Sequence, residues 1–324
     1  MQNKLKNQLT FIDFCSGIGG GRLGLELNGM QCLAHSEVDP NPDATYQLFF
    51  NDNNNLGDLT KIDIQSLPDF DVMLAGFPCQ AFSIVGKREG FEDERGQIIY
   101  HLVDILTWKR TPYFILENVK GLVNHHNGKT LRAILNLLEN TGYDVYWKVL
   151  DSQYYGVPQM RERIYFVGIR KDIKHKPYQF PNEVALPDIT HYLNDRRDYA
   201  FDIKNSTFQK YLNNKYNQGK VNIQAILSQD YNVIDWRQSD FRLYTHKSPT
   251  LRTGRHGILY TKDGNLRKLS GYEALLLQGF PKEIAQKVIT YKLPDSKILS
   301  QAGNAMTVTV IHKLAEQLLK SLET

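Results

Sequence analysis

The sequence predicts an α/β protein, with a mostly parallel sheet covered by helices and a second, smaller domain. Three observations lead there. Between residues 9 and 168, short apolar runs alternate with helical stretches, the pattern of a parallel sheet. A glycine cluster, Asp13-Phe14-Cys15-Ser16-Gly17-Ile18-Gly19-Gly20-Gly21, separates the first apolar run from the first helical stretch. After Arg170 the periodicity fades, with Pro177, Pro181 and Pro187 followed by polar, Asn-rich segments.

Taken in order, residues 9–14 read as a strand and residues 21–28 open a helix. Residues 32–36 form a second strand and 72–75 a third, uninterrupted and apolar as a strand covered on both faces should be. An amphipathic helix over 98–108 precedes a buried strand at 113–116. Another helix follows over 130–139, with Thr130 suited to be its N-cap. Residues 143–150 and 164–169 read as a strand pair that closes the sheet. Order resumes near Leu266, with a helix over 272–278 ended by Gly279 and Pro281. A last amphipathic helix over 305–319 is expected to return to the first domain. The expected divisions are a large domain over 1–180 completed by 296–324, a small domain over 181–265, and a hinge region over 266–295.

With 324 residues, one large domain plus a small one is the natural division. Hydrophobic residues make up 41% and charged residues 23%, ordinary values for a globular protein. No apolar run is long enough to cross a membrane, and the polar residues 1–8 do not read as a signal peptide. Cys15, Cys32 and Cys79 are too few and too scattered for a disulfide framework or a metal site. A reducing, cytoplasmic setting is the expectation, with no metal. The net charge is +4 but unevenly spread: residues 161–260 hold 17 Lys+Arg against 10 Asp+Glu, the remainder 22 against 25. Such a basic stretch suits a polyanion-binding face and equally an ordinary solvated surface.

Glycines after a strand let the backbone turn sharply and approach a ligand closely. This cluster is not the NAD fingerprint, because Arg22 stands where the last glycine must be. Glu37, at the end of the second strand, is where an acid can bind ribose hydroxyls, so the pair suits adenosine nucleosides; a tight structural turn is the alternative. Asn127-Gly128-Lys129-Thr130 resembles the end of a P-loop, but Val123 replaces its first glycine, so ATP is not expected there.

Gly76-Phe77-Pro78-Cys79-Gln80-Ala81-Phe82-Ser83 follows the third strand, and loops at the carboxyl ends of parallel strands carry active sites. Cys79 is there a candidate nucleophile, although a lone cysteine is more often a small buried side chain. Glu117-Asn118-Val119 ends the next strand on the same rim. A cysteine facing a carboxylic acid across neighbouring strand ends can attack a ring while it is protonated. Glu117 alone fits a cap or ion pair equally well.

These two segments resemble the Pro-Cys-Gln and Glu-Asn-Val motifs of the DNA cytosine-5 methyltransferases, and the resemblance covers nearly the whole chain in the family's order. Residues 11–20 resemble the cofactor loop, Glu37-Val38-Asp39-Pro40 the ribose-acid segment, and Gly57-Asp58-Leu59-Thr60 the segment whose Asp contacts the adenine amino group. Asp93-Glu94-Arg95-Gly96 resembles the end of the mobile catalytic loop. Residues 153–159 through Arg161-Glu162-Arg163 resemble the motif bearing paired arginines. Ser248-Pro249-Thr250-Leu251 and Gly303-Asn304-Ala305 match the last two motifs.

The resemblance implies a Rossmann-like, S-adenosylmethionine-dependent methyltransferase fold with a DNA-recognition domain. It implies cofactor contacts from Cys15, Gly17, Ile18, Gly19, Gly20, Glu37, Val38, Asp58, Leu59, Pro78, Asn304 and Ala305. Cys79 would add to C6 of a cytosine flipped out of duplex DNA, Glu117 would act at N3 and the exocyclic amine, Arg163 would contact O2, and Arg161 would support the site. The loop 80–96 is a candidate lid carrying Ser83, Lys87 and Arg95 toward the DNA. Arg237, Gln238, Arg242, Arg252 and Arg255 suit base edges and phosphates, although any single one is more often an ordinary solvated side chain, and Thr250 supports the recognition loops. Two residues depart from the pattern: Cys15 stands where the family usually has Phe, and Val38 where a larger residue is common. By resemblance to compact restriction–modification enzymes, the expected partner is double-stranded DNA with a short site, on which a cognate endonuclease would act without being bound; a monomer is the expectation because one target base is modified per visit.

Three other readings were weighed. A tRNA cytosine-5 methyltransferase shares the core, and the basic segment from 171 to 255 favours duplex DNA over it. A silent DNA-binding protein is opposed by the joint presence of Cys79, Glu117 and Arg163. A NAD-linked reductase fails on Arg22 and lacks a Tyr-Lys or His acid–base set.

Overall fold

The computed structural model describes residues 8–78, 98–237, 240–254 and 257–323. It forms two compact units. The first comprises residues up to Asp151, Glu162–Glu183 and residues from Ala305 onward; the second comprises Ser152–Arg161 and Val184–Asn304.

In the first unit, β1 (Thr10–Phe14), α1 (Gly20–Glu26), β2 (Gln31–Ser36), α2 (Pro40–Phe50), β3 (Val72–Gly76), α3 (Ile98–Lys109), β4 (Tyr113–Val119), α4 (Lys129–Asn140), β5 (Tyr143–Asp151) and β6 (Glu162–Arg170) follow in order. The strands form one sheet in the order β2-β1-β3-β4-β6-β5. Pairing is parallel among the first four and antiparallel where β6 joins β4 and β5, as the mostly parallel expectation requires. Strand order reverses between β1 and β3, the place where open α/β sheets bind ligands.

Strand parity assigns the two faces of this sheet. Met73 and Ala75 join Ile99, Leu102, Leu106 and Ile134 in one core with α3 and α4. Leu74, between them, faces α1: a Cβ on Gly21 would sit 2.7 Å from its side chain. The same face receives the last helix, since a Cβ on Gly24 would lie 2.6 Å from Ile311. Local chemistry starts α2, where the Asp39 carboxylate accepts from Asn41 N–H at 2.8 Å and Pro40 supplies the first helical residue.

Several boundaries differ from expectation for identifiable reasons. β4 does not stop at Leu116, because β6 pairs with it residue by residue through Val119 opposite Arg163. Thr130 is not an N-cap. His126 and Asn127 take positive φ of 47° and 55°, Gly128 at 77° caps α4, and Thr130 is buried with its hydroxyl 2.7 Å from His125 Nδ1.

In the second unit, α5 (Ser206–Leu212) and α6 (Ile223–Leu227) precede β7 (Asn232–Trp236), β8 (Phe241–Thr245), β9 (Ile258–Lys262) and β10 (Asn265–Lys268). These strands form an antiparallel sheet in the order β10-β9-β7-β8. Its core gathers Phe208, Ile226, Ile234, Phe241, Leu259 and Leu266, with Trp236 against Phe201, Phe208 and Tyr211. Then come α7 (Gly271–Leu277), α8 (Lys282–Thr290) and α9 (Asp295–Asn304), and finally α10 (Val308–Leu322) in the first unit. α10 begins three residues later than expected. Residues 305–307 instead pass the glycine loop, where a Cβ on Gly20 would lie 2.3 Å from Met306 O.

A buried carboxylate anchors the second unit. Glu273 forms a capping box with Ser270 and accepts from Asp195 N–H at 3.1 Å and Tyr260 Oη at 2.9 Å. Burial nevertheless outweighs these donors and pushes its acid up to about 7. The folded state therefore binds this proton more tightly than the unfolded chain. Its contribution to stability is complete below the ordinary value of 4.5 and is lost as pH rises toward about 7. Within that window the loss approaches about 1.4 kcal/mol per pH unit. Urea unfolding read by Trp236 fluorescence, in a Trp108→Phe/Trp147→Phe background, should show this decline in the wild type and a flatter profile in Glu273→Gln. Parallel profiles would refute it.

Candidate active site

β1 ends in the glycine cluster, and the chain then turns through three positive φ values: Cys15 at 53°, Gly17 at 55° and Gly19 at 82°. Gly19 is required by contact as well as by φ, because a Cβ there would lie 2.2 Å from the Phe50 ring. At Gly17 a Cβ would meet nothing within 4 Å, so the loop borders open space. Gly17 N–H donates to Glu37 Oε2 at 2.9 Å, and Asp39 N–H to Glu37 Oε1 at 2.8 Å, which fixes the carboxylate beside that space. Asp58 accepts from Thr60 N–H and Oγ at 3.0 and 2.8 Å, and the hydroxyl bond is the main cause that holds its acid below the usual carboxylate range. Ile18 and Leu59 are buried, whereas Val38 is 73% exposed. Burial pushes the Cys15 thiol up to about 12, so it stays protonated at neutral pH.

The carboxyl ends of β3 and β4 hold the second cluster. Asn118 Nδ2 donates to Phe77 O at 2.9 Å, tying the end of β4 to the residues that lead into Pro78. Glu117, 9% exposed, pairs with Arg163 Nε at 3.1 Å. The pairing follows from register: Arg163 lies opposite Val119, so it shares a face with Glu117 two residues away. A Cβ on Gly76 would stand 3.8 Å from Glu117 Oε2, so the carboxyl group lies over the end of β3. An acid beside a guanidinium, both mostly shielded from water, can bind a planar amide-like edge and exchange a proton with it.

A family profile described as C-5 cytosine-specific DNA methylase matches residues 9–320. The chain belongs to this family. The methylase is 34% identical over 319 residues to the type II methyltransferase M.DsaV of Dactylococcopsis salina, covering 98% of this chain and 88% of that one. It is 31% identical to M.HhaI of Haemophilus parahaemolyticus, with 99% and 98% covered. The fold matches that of the Schizosaccharomyces pombe Dnmt2 methyltransferase with a TM-score of 0.71 at 17% identity, over 98% of this chain and all of that one. The Entamoeba histolytica methyltransferase EhMeth gives 0.70 at 19% identity over the same shares. The enzyme is thus a DNA cytosine-5 methyltransferase, a class that needs a methyl donor.

Within the methylase, the first unit brings together Glu117 and Arg163, and separately the loop 15–20 with Glu37. Arg161 belongs to the second unit. Its guanidinium is 2% exposed and donates to Leu251 O at 3.2 Å and Gly303 O at 3.1 Å. Thr250 Oγ donates to Met160 O at 2.5 Å, and Asn304 accepts from Thr253 Oγ at 2.5 Å. Ala305 is buried in the first unit. Arg237 is held by Asp235 and Arg242 by Asp240, the second pair well exposed; Arg252 is exposed. Cys79, Ser83, Lys87, Arg95, Gln238 and Arg255 lie outside the described residues.

Sequence reasoning passed over Asn118 as a site residue, although a buried amide inside an otherwise apolar strand signals a required partner. It also passed over Met306, whose backbone forms one wall of the glycine loop. Among the described residues, no group of His, Cys, Asp and Glu could hold a metal, and no helix is long and apolar enough to cross a membrane.

Proposed function

We propose that this methylase transfers the methyl group of S-adenosylmethionine to C5 of a cytosine flipped out of a short duplex DNA site, through a transient bond between Cys79 and C6. The observation that carries the reading is the Glu117–Arg163 pair, set at the end of β4 beside the residues that lead into Cys79.

The first unit suits the cofactor. A bent glycine loop beside open space, an oriented Glu37 for a ribose diol and Asp58 for an exocyclic amine provide acceptors where adenosine offers donors. Cys15, Gly17, Ile18, Gly19, Gly20, Val38, Leu59, Pro78, Asn304 and Ala305 complete the proposed binding set. The cofactor supplies an electrophilic methyl group.

The protein's part is to make C5 nucleophilic. Cys79 attacks C6 as thiolate while Glu117 protonates N3, so C5–C6 becomes a single bond and C4–C5 an enamine double bond; Arg163 holds O2. After C5 is methylated, N3 returns its proton to Glu117, a base removes the C5 proton and the thiolate departs, restoring the C5–C6 double bond. A stacked base hides C5 and C6, hence the flip. Arg161 supports the site through the backbone of its own unit.

Residues 181–265 read the sequence, with Arg237, Gln238, Arg242, Arg252 and Arg255 toward bases and phosphates, residues 266–295 acting as hinge. Ser83, Lys87 and Arg95 approach the target. The enzyme works as a monomer in the cytoplasm and protects sites also read by a separate restriction endonuclease.

Incubation with methyl-labelled S-adenosylmethionine and mixed-sequence duplex DNA should place label in 5-methylcytosine at one short motif. Label on tRNA but not DNA would replace DNA as substrate, and label on neither would sink the reading.

A further inference from the structure

β2 ends at Ser36, so the backbone N–H and C=O of Glu37 have no ladder partner. One side chain supplies both. Asn55 Oδ1 accepts from Glu37 N–H at 3.1 Å, and Asn55 Nδ2 donates to Glu37 O at 3.0 Å. The same Oδ1 accepts from Gly57 N–H at 2.8 Å, where a φ of 72° turns the chain into Asp58. Around it, residues 54–57 run beside the end of β2: His35 N–H donates to Asn54 O, Leu56 N–H to His35 O at 2.7 Å, and Ser36 Oγ to Gly57 O at 2.7 Å.

We propose that Asn55 is a positioning residue that sets the spacing of the two cofactor acids, Glu37 and Asp58. This rests on the reading of those acids as ligands of adenosine. The amide is needed because both a donor and an acceptor are used. Aspartate keeps the acceptor but cannot donate to Glu37 O and adds negative charge there; alanine keeps neither. The bonds of Asn55 are made to Glu37 and Gly57 beside the end of β2, which β1 and β3 separate from the β4 strand that carries Glu117, so its loss changes cofactor affinity and leaves the chemical step alone.

The test measures cofactor KM and kcat for Asn55→Ala and Asn55→Asp, with calorimetric binding of S-adenosylhomocysteine to each variant and to the wild type. Alanine loses three hydrogen bonds and aspartate one, so KM and Kd should rise at least about tenfold in Asn55→Ala and about fivefold in Asn55→Asp. kcat at saturating cofactor should stay within about twofold, and KM for DNA should not change. Asn55→Asp retains the Gly57 turn and serves if the alanine variant folds poorly. Unchanged KM and Kd in either folded variant, or a fall in kcat with KM unmoved, overturns the proposal. A wild type that neither uses S-adenosylmethionine nor binds S-adenosylhomocysteine overturns the cofactor reading itself, a result the variants alone cannot mimic.

Discussion

Cys79→Ser should abolish methyl transfer while leaving cofactor and DNA binding intact. A serine hydroxyl is far less nucleophilic than a thiolate and has no comparable anionic fraction at neutral pH, so C6 is not attacked. The loss should be complete within assay sensitivity, and a duplex bearing 5-fluorocytosine should form a denaturation-resistant adduct with the wild type alone. Fluorine cannot leave as a proton does, so the enzyme stays attached. The other thiols provide an internal control. Burial pushes both Cys15 and Cys32 up to about 12, so at pH 8 they remain protonated and slow to alkylate. Iodoacetamide inactivation should then track modification of Cys79, with DNA protecting it. Residual label transfer by the serine variant above about one percent of wild type, or inactivation that maps to Cys15 or Cys32, would show that another group carries the attack.

Glu117→Gln should lower kcat by about 10²–10⁴-fold, the usual worth of a positioned acid. Glutamine keeps the size of the side chain and can still accept from Arg163 Nε, now 3.1 Å from the carboxylate, so folding and base placement are largely preserved. What it lacks is the proton for N3. Cofactor KM should be unaffected, since the bonds that orient Glu37 involve Gly17, Asp39 and Asn55. A decrease smaller than tenfold would leave Glu117 as a structural partner of Arg163 only. Arg163→Lys, which removes the planar fork, should raise KM for DNA more than it lowers kcat, because the charge remains and the two-point grip is lost. Quench-flow and steady-state assays on one labelled duplex separate these outcomes.

Much of this was legible in order along the chain. The glycine cluster, Glu37, the Pro-Cys-Gln segment and Glu-Asn-Val are contiguous, so their chemistry can be read without coordinates. Strands whose apolar run is uninterrupted, such as Val72–Gly76, are equally plain. Boundaries were less so. Thr130 has the chemistry of a cap, yet the left-handed turn at His126 and Asn127 hands that place to Gly128, a choice made by backbone conformation. Residues 171–240 showed little periodicity because their helices and strand are short, Ser206–Leu212, Ile223–Leu227 and Asn232–Trp236, too short for a repeating apolar stripe.

By itself, then, the sequence determined the reaction class and the mostly parallel sheet, and it nominated the acids, cysteine and arginines, because each resides in a short segment whose residue types are dictated by chemistry. The tertiary structure decided which of them meet. Glu117 and Arg163 are 46 positions apart and become an ion pair only through the antiparallel register of β4 and β6. Arg161, two residues from Arg163, is instead a buried crosslink of the second unit, because it precedes the first residue of β6 and the chain changes unit between Arg161 and Glu162. Asn55 acquired its role from strand β2 ending one residue before Glu37, which leaves two backbone groups that a distant amide alone can satisfy.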